Sequence, residues 1–438
     1  MKKQTIISML MGLFVVATQA QEIDYETYEL TNGLDVILHQ DNSAPVVTVG
    51  VMYHVGGKDG KKDRSGFAHF FEHLLFEGTE NIERGEWFNI VSANGGTNNA
   101  NTSQDRTYYY ETFPSNALEL GLWMESERML HPVINQIGVD TQNEVVKEEK
   151  RTNYDNRPYG NWAIMVNKNL FDKHPYKNPN IGYMEDLDAA TLDEFKAFFD
   201  KYYGPNNATL VVAGDINMGK TIKMIKDYFG PIPRGQEVKR DKIQEDIIEN
   251  KIEVTAYDSN IQIPLKVFAY RTPSMKDRDA YVLDMISQVL SGGKTSRLYK
   301  RMVDDDKIAL QVLAFNRSLE DYGTYIVGAL PLGDNSLEKL AAVMDEEIEK
   351  IKTELISEKE YEKLQNTFEN RFVNSNSSVQ GIASSLATYH TLYGDVSLIN
   401  NEIEIYRSIT REEILEVAKK YLQDNKRLEM DYLPENDK

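Results

Sequence analysis

The sequence predicts an α+β chain built from two similar domains, on three observations. Hydrophobic residues fill 41% of 438 positions, enough apolar material for more than one core. A strand, loop, helix order occurs twice. Lys62-Asp63-Arg64 precedes SGFAHFFEHLLFEG, and 214 positions later Lys276-Asp277-Arg278 precedes DAYVLDMISQVLSG. Between the copies, RGQEVKRDKIQEDIIENK from Arg234 to Lys251 has the charged composition of a linker and follows the turn-like GPIP. The expected divisions are a leader at 1–20, a first domain at 21–240 and a second at 241–438.

The leader comes first in the chain. Lys2 and Lys3 precede an apolar stretch from Ile6 to Ala17, which ends in Thr18, Gln19 and Ala20 before a polar run. A basic start, a short apolar core and a small-residue exit describe a secretory signal peptide. The stretch is too short to span a bilayer comfortably, and no later segment reaches the length a membrane helix needs. With no cysteine in the chain, lipid attachment has no acceptor. The expectation is a soluble, exported protein, periplasmic or secreted. In the first half, VVTVGVMYHV from Val46, RTYYYETF from Arg106 and ATLVVAGD from Ala208 read as strands. IPLKVFAY from Ile263, YGTYIVGAL from Tyr322 and RLEMDYL from Arg427 are their counterparts in the second, with amphipathic helices between.

Charge and composition narrow the chemistry. Lys plus Arg number 49 against 69 for Asp plus Glu, a net charge of -20, so a nonspecific phosphate-binding surface and a nucleic-acid partner are excluded. The absence of cysteine removes disulfides, thiolate metal sites and cysteine nucleophiles, so any metal must sit on His, Asp or Glu.

The two copies differ where it matters. His69-Phe70-Phe71-Glu72-His73 in the first becomes Leu283-Asp284-Met285-Ile286-Ser287 in the second. On a helix, His69 and His73 lie one turn apart on one face with Glu72 beside them. Two neutral imidazoles and a carboxylate suit zinc, and a catalytic zinc keeps one position open for water, from which Glu72 would take a proton. His39, His54, His131, His174 and His390 lie in or beside strands, before prolines or in the second half, and read as structural. The third ligand is then a carboxylate, and spacing alone does not choose among Glu125, Glu127, Glu144, Glu148 and Glu149.

The inverted HxxEH of His69 to His73, the NNANTSQDRTYYY stretch, and QNEVVKEEKR followed by RPYG resemble the insulinase and pitrilysin family of zinc peptidases. The resemblance covers nearly the whole mature chain. It is strongest to short bacterial members and to the catalytic subunit of mitochondrial processing peptidase. It implies that peptidase's fold, two homologous α/β domains, each a mainly antiparallel sheet packed with helices. It implies one zinc per chain, held by His69, His73 and a Glu about 76 residues on, which is Glu149, with Glu148 in reserve. Where many relatives carry another Glu, this chain has Gln142, whose amide suits an outer hydrogen bond to the ligand set.

The resemblance also implies that Asn98, Asn99, Ala100, Asn101 and Thr102 form an edge strand that pairs with extended substrate. Ser291 to Tyr299 becomes a glycine-rich turn near the cleft. An Arg and a Tyr that position substrate in full-length relatives align with Val303 and Leu310, neither of which donates a hydrogen bond. A homologous partner chain supplying that pair, or a homodimer, is therefore expected. The function implied is zinc-dependent endopeptidase cleavage of unfolded or short polypeptides, with Glu72 as general base. The overall acidity favours basic or neutral peptides. The alternatives are a noncatalytic scaffold subunit of a hetero-oligomer of the same family, and a zinc carrier.

Overall fold

The computed structural model describes residues 22–61 and 64–435, so the expected leader lies outside the described residues. Eleven strands form two sheets. In the first, β1 (Glu26–Glu29), β2 (Asp35–Gln40), β3 (Val46–Tyr53), β4 (Thr97–Thr102), β5 (Thr107–Pro114) and β6 (Ala208–Gly214) take the spatial order β1-β2-β6-β3-β5-β4. In the second, β7 (Ile252–Asp258), β8 (Leu265–Thr272), β9 (Ala309–Arg317), β10 (Gly323–Pro331) and β11 (Leu428–Pro434) take the order β7-β11-β8-β10-β9.

Each sheet is mixed. The β2–β6 and β7–β11 pairs are parallel, and every other pairing is antiparallel. Apart from β1, the sheets correspond in strand order and pairing direction, β2-β6-β3-β5-β4 with β7-β11-β8-β10-β9. The sequence repeat is thus a repeat of topology, and β4 and β9 are equivalent edge strands.

The helices of the first half are α1 (Phe67–Leu74), α2 (Trp87–Ala93), α3 (Leu118–Leu130), α4 (Gln136–Lys150), α5 (Trp162–Leu170), α6 (Met184–Ala189), α7 (Leu192–Tyr202) and α8 (Met218–Phe229). Those of the second are α9 (Arg278–Ser291), α10 (Leu337–Thr353), α11 (Glu358–Ser375), α12 (Val379–Thr388), α13 (Leu398–Ser408) and α14 (Arg411–Tyr421). The link from α8 to β7 contains neither helix nor strand.

Alternation along the strands builds a core on both faces of each sheet. Val36, Leu38, Val49, Val51, Leu210 and Val212 join the aromatic side chains of α1 and α7 in one cluster. Ile37, Met52, Val211 and Ala213 point the other way, onto Ile382, Ala383 and Leu386 of α12. The exchange is reciprocal, since Val166 and Leu170 of α5 pack with Leu265, Val267 and Met430 of the second sheet. Each half therefore covers one face of the other's sheet, which explains why strands such as ATLVVAG are buried throughout. The division near residue 240 stands as a proposal about the duplicated units in sequence order, because α5 and α12 each cross it in space.

Candidate active site

α1 carries HxxEH, and three contacts fix it. Its entry needs Gly66, which has φ +85 and lies so close to Gly182 that a Cβ would come within 2.7 Å of the Gly182 Cα. Just before it, the Ser65 N–H and hydroxyl both donate to Asp186 Oδ2, at 2.9 and 2.5 Å. At the exit, Arg128 Nη1 donates to the Leu75 carbonyl at 2.9 Å, satisfying one of the helix-end acceptors. One face of α1 is locked by rings, with Phe70 stacked on Phe195 at 4.5 Å and Phe71 on Phe198 at 5.5 Å. His69, Glu72 and His73 are left toward α4 and β4.

α4 begins at Asn135, whose side chain caps the Gly138 N–H at 2.9 Å. Val139 and Val146 are its buried anchors. Glu149 lies one turn beyond Val146 on the same face and meets the two histidines. Glu148 points outward to Arg151, and Glu144 pairs with Lys147. Glu125 belongs to a buried cluster with Arg128, and Glu127 holds Thr79, Asn81 and His131. Among the described residues, His69, His73 and Glu149 are the one His/Asp/Glu group whose ligand atoms all lie within 4.8 Å of one another.

The spacing fits a cation. Glu149 Oε2 is 3.1 Å from His73 Nε2 and 3.6 Å from His69 Nε2. Ligands about 2.1 Å from a tetrahedral zinc stand roughly 3.4 Å apart. Burial, reinforced by the neighbouring His73, pushes His69 down to about 4, so at neutral pH its imidazole is uncharged, the form that binds metal. A hydrogen bond with His73 holds the Glu149 carboxyl below its usual range. The buried Nδ1 of His69 has no hydrogen-bond partner.

Glu72 stands beside the trio without joining it. Burial raises its pKa, and its Oε2 accepts the Thr102 hydroxyl at 2.6 Å. Thr102 is itself held by Asn180, whose Nδ2 donates to the Thr102 carbonyl at 2.7 Å. Gln142 donates to Glu77 Oε1 at 2.6 Å and not to a member of the trio.

Asn98 to Thr102 do lie on an edge strand, β4, paired only to β5. The hairpin closes with Ser103 N donating to Arg106 O at 2.8 Å, which sets the alternation of the ladder. Asn99 and Asn101 bond to β5, while the backbone groups of Asn98, Ala100 and Thr102 face outward. Of these outward groups the Thr102 carbonyl is taken by Asn180 and the Ala100 N–H by Asn99 Oδ1 at 2.9 Å, which leaves Asn98, the Ala100 carbonyl and the Thr102 N–H for an added strand. Val303 is half-buried in the widened turn Tyr299–Asp305, Leu310 is exposed on β9, and Ser291 to Ser296 form a turn after α9.

Sequence reasoning passed over three contributors. Thr102 was read only as a substrate contact, although its hydroxyl holds Glu72. Arg128, fully buried against the rings of Trp87, Tyr109 and Phe76, caps α1. Lys58 bonds Asp105, Glu320 and Asp321 and so ties the β9–β10 hairpin to the β4–β5 turn. The available signal was the DR of QDRTYYY. The partners of that segment lie far away in sequence.

Two homologous mixed α/β domains, one with an HxxEH helix facing a distant Glu, define an inverted-motif peptidase fold. The family models agree. "Insulinase (Peptidase family M16)" matches residues 35–182 and "Peptidase M16 inactive domain" matches residues 189–368. The chain belongs to the insulinase family, peptidase family M16. It is 29% identical over 414 residues to the zinc protease PqqE of Helicobacter pylori, covering 91% of this chain and 90% of that one. A crystal structure of a protease from Helicobacter pylori superimposes with a TM-score of 0.89 at 27% identity, over 94% of this chain and all of that one. The periplasmic protease PqqL of Escherichia coli shares the fold, with a TM-score of 0.78 at 19% identity over 94% of this chain but 48% of its own.

Proposed function

We propose that this protein is a zinc-dependent endopeptidase acting on unfolded or short polypeptides. The observation that carries the reading is the convergence of His69, His73 and Glu149 from two helices with Glu72 alongside. His69, His73 and Glu149 would hold the zinc, which when bound supplies a Lewis acid for the scissile carbonyl and for water. Glu72 takes the proton from the attacking water and returns it to the leaving amine. Its raised pKa suits both transfers, and Thr102 keeps its carboxylate in place. The open edge of β4 binds the peptide as an added strand through Asn98, Ala100 and Thr102, reading shape more than sequence.

A second chain belongs to the same reading. Leu310 is exposed on β9 and Val303 offers no donor, so a homologous chain bearing an Arg and a Tyr, or a second copy, would complete the chamber. PqqL, about twice as long, is consistent with two such units acting together. The leader sequence supports export to the periplasm or beyond. No helix among the described residues is long and apolar enough to cross a membrane. The noncatalytic scaffold is the competing reading, and the intact Glu72 disfavours it.

The test is cleavage of a quenched fluorescent peptide mixture, with and without chelator, by wild type and Glu72→Gln. Chelator-sensitive cleavage absent from the variant supports the peptidase. Equal behaviour of the two chains would refute it.

A further inference from the structure

Two guanidinium groups near the candidate active site keep hydrogen-bond donors that no protein acceptor takes among the described residues. Arg106 opens the strand after the β4–β5 turn. Its Nη1 donates to the Asn101 backbone oxygen at 2.8 Å and to the Asn101 side-chain oxygen. These bonds pin the side chain to the strand that would receive a peptide, one residue from the Thr102 that holds Glu72. Arg106 bonds through Nη1 alone, so Nε and Nη2 keep their donors free of protein acceptors among the described residues.

Arg317 closes β9, the edge strand equivalent to β4, and its exposed side chain makes no hydrogen bond or ion pair among the described residues. Residues two apart on a strand share a face, and Phe315 meets Trp162 edge-on at 6.4 Å. Arg317 therefore sits on the face turned to the segment after Glu149. Tyr154 of that segment lies within electrostatic reach of both Glu149 and Arg317.

Glu72 and Asp105 lie within electrostatic reach of Arg106, but neither accepts a hydrogen bond from it. Asp105 is engaged by Lys58 and by the Tyr176 hydroxyl. Glu149 is bound to the two histidines, and Glu72 to Thr102. A chain of net charge -20 thus keeps two guanidinium groups with open donors here, one within reach of Glu72 and one facing the segment after Glu149. Local charge, not the net count, decides what enters a cleft. Guanidinium groups with unused donors are suited to carboxylate, which they bind through paired, charge-assisted bonds.

We propose that Arg106 and Arg317 read a carboxylate of the peptide, so that the favoured substrates carry an acidic group close to the scissile bond. This rests on the peptidase reading. The carboxylate is either an Asp or Glu side chain or the C-terminus of a short peptide, and the two sources are separable by amidation.

The experiment compares kcat/KM for peptide pairs differing only in Glu or Gln at each position flanking the cleaved bond, each made with a free or amidated C-terminus. Enzymes are wild type, Arg106→Gln and Arg317→Gln. The expected result is a wild-type preference of about tenfold or more for the carboxylate-bearing member, the size of one charge-assisted bond. That ratio falls toward unity in at least one variant. A preference that survives amidation assigns the side chain, and one that amidation abolishes assigns the terminus. Arg317→Gln is a change at an exposed strand end, so it folds even if Arg106→Gln does not.

Binding of the same peptides to Glu72→Gln, read by fluorescence anisotropy, tests the subsite without turnover. Cleavage with no Glu-over-Gln preference, or a preference untouched by both variants, overturns the subsite and leaves the peptidase standing. Tighter binding of the acidic peptide that Arg106→Gln abolishes, with no cleavage by wild type, supports the subsite and removes the peptidase reading.

Discussion

Replacing Lys58 by Met should loosen the join between the two halves, by an amount that the geometry sets. Lys58 Nζ lies 3.0 Å from Asp105 Oδ1, 2.8 Å from Glu320 Oε2 and 2.8 Å from Asp321 Oδ2, and 7% of its side chain is exposed. Asp105 comes from the turn after β4, while Glu320 and Asp321 form the tip of the β9–β10 hairpin. His54 Nε2 touches Glu320 at 2.8 Å and His174 Nε2 touches Asp321 at 3.3 Å. Removing the ammonium leaves three carboxylates facing one another, and orphaning a buried charge costs roughly 3 to 5 kcal/mol. Asp321 is 37% exposed and recovers part of its solvation, so about 3 kcal/mol is the better figure.

Glu320 shows the scale of the cluster as a whole, of which Lys58 supplies one part beside His54. Burial works to raise its carboxyl, but His54 and Lys58 hold it down to about 2 from an ordinary 4.5, worth roughly 3 kcal/mol to the folded state. The sign follows from that depression. The stability is fully present above the unfolded value near 4.5 and is lost as pH falls through about 2. Thermal unfolding of Lys58→Met at pH 7 should therefore begin roughly 3 to 4 °C lower than in wild type, since the halves share cores and melt as one large unit. The gap should narrow steadily below pH 4. Equal melting at pH 7, or a gap that is unchanged or wider in acid, refutes the clasp.

Three further outcomes are expected. Arg128→Lys should not restore what Arg128→Met loses, because the planar guanidinium joins Leu75, Glu111 and Glu125 in a space lined by rings. Both variants should lose about 3 kcal/mol or more in urea unfolding, and weaker zinc binding should accompany the loss of the α1 cap. Asp284→Asn should stabilise the protein at pH 8 by about 3 kcal/mol and have little effect near pH 4. Burial raises the Asp284 carboxyl to about 6, so folding is favoured at low pH and that advantage is lost as pH rises through about 6, which calorimetry at the two pH values checks. Thr102→Val removes the donor at Glu72 and should lower kcat about tenfold with zinc content unchanged, since one bond to a charged group is lost.

Much of this fold was written in local pattern. The six strands read from apolar runs, β3, β5, β6, β8, β10 and β11, occupy the interior of the sheets, where both faces are covered. The strands left unread, β1, β2, β7 and β9, lie at or next to an edge. β1 and β9 show no clean apolar alternation, with Leu310 and Phe315 of β9 exposed, while β7, IEVTAYD, does alternate but follows directly on the charged link. β2 is well buried, but DVILHQ is short and ends in polar residues.

The site divides in the same way. His69, Glu72 and His73 share one helical turn and are visible as a spacing. Glu149 emerged from the resemblance, and Val146 explains physically why it, not Glu148, turns inward. The contacts that hold the site have no local signature. Thr102 reaches Glu72 across 30 positions, and Lys58 reaches Glu320 across 262. Such pairings depend on how the sheets assemble and become legible only once the chain is folded.

The most direct test of the central claim measures zinc stoichiometry and peptide turnover together, on wild type, Glu72→Gln and Glu149→Gln purified side by side. The account predicts one zinc per chain and turnover in wild type. It predicts one zinc without turnover in Glu72→Gln, and loss of both in Glu149→Gln. Turnover by Glu72→Gln, or full zinc occupancy in Glu149→Gln, would contradict it.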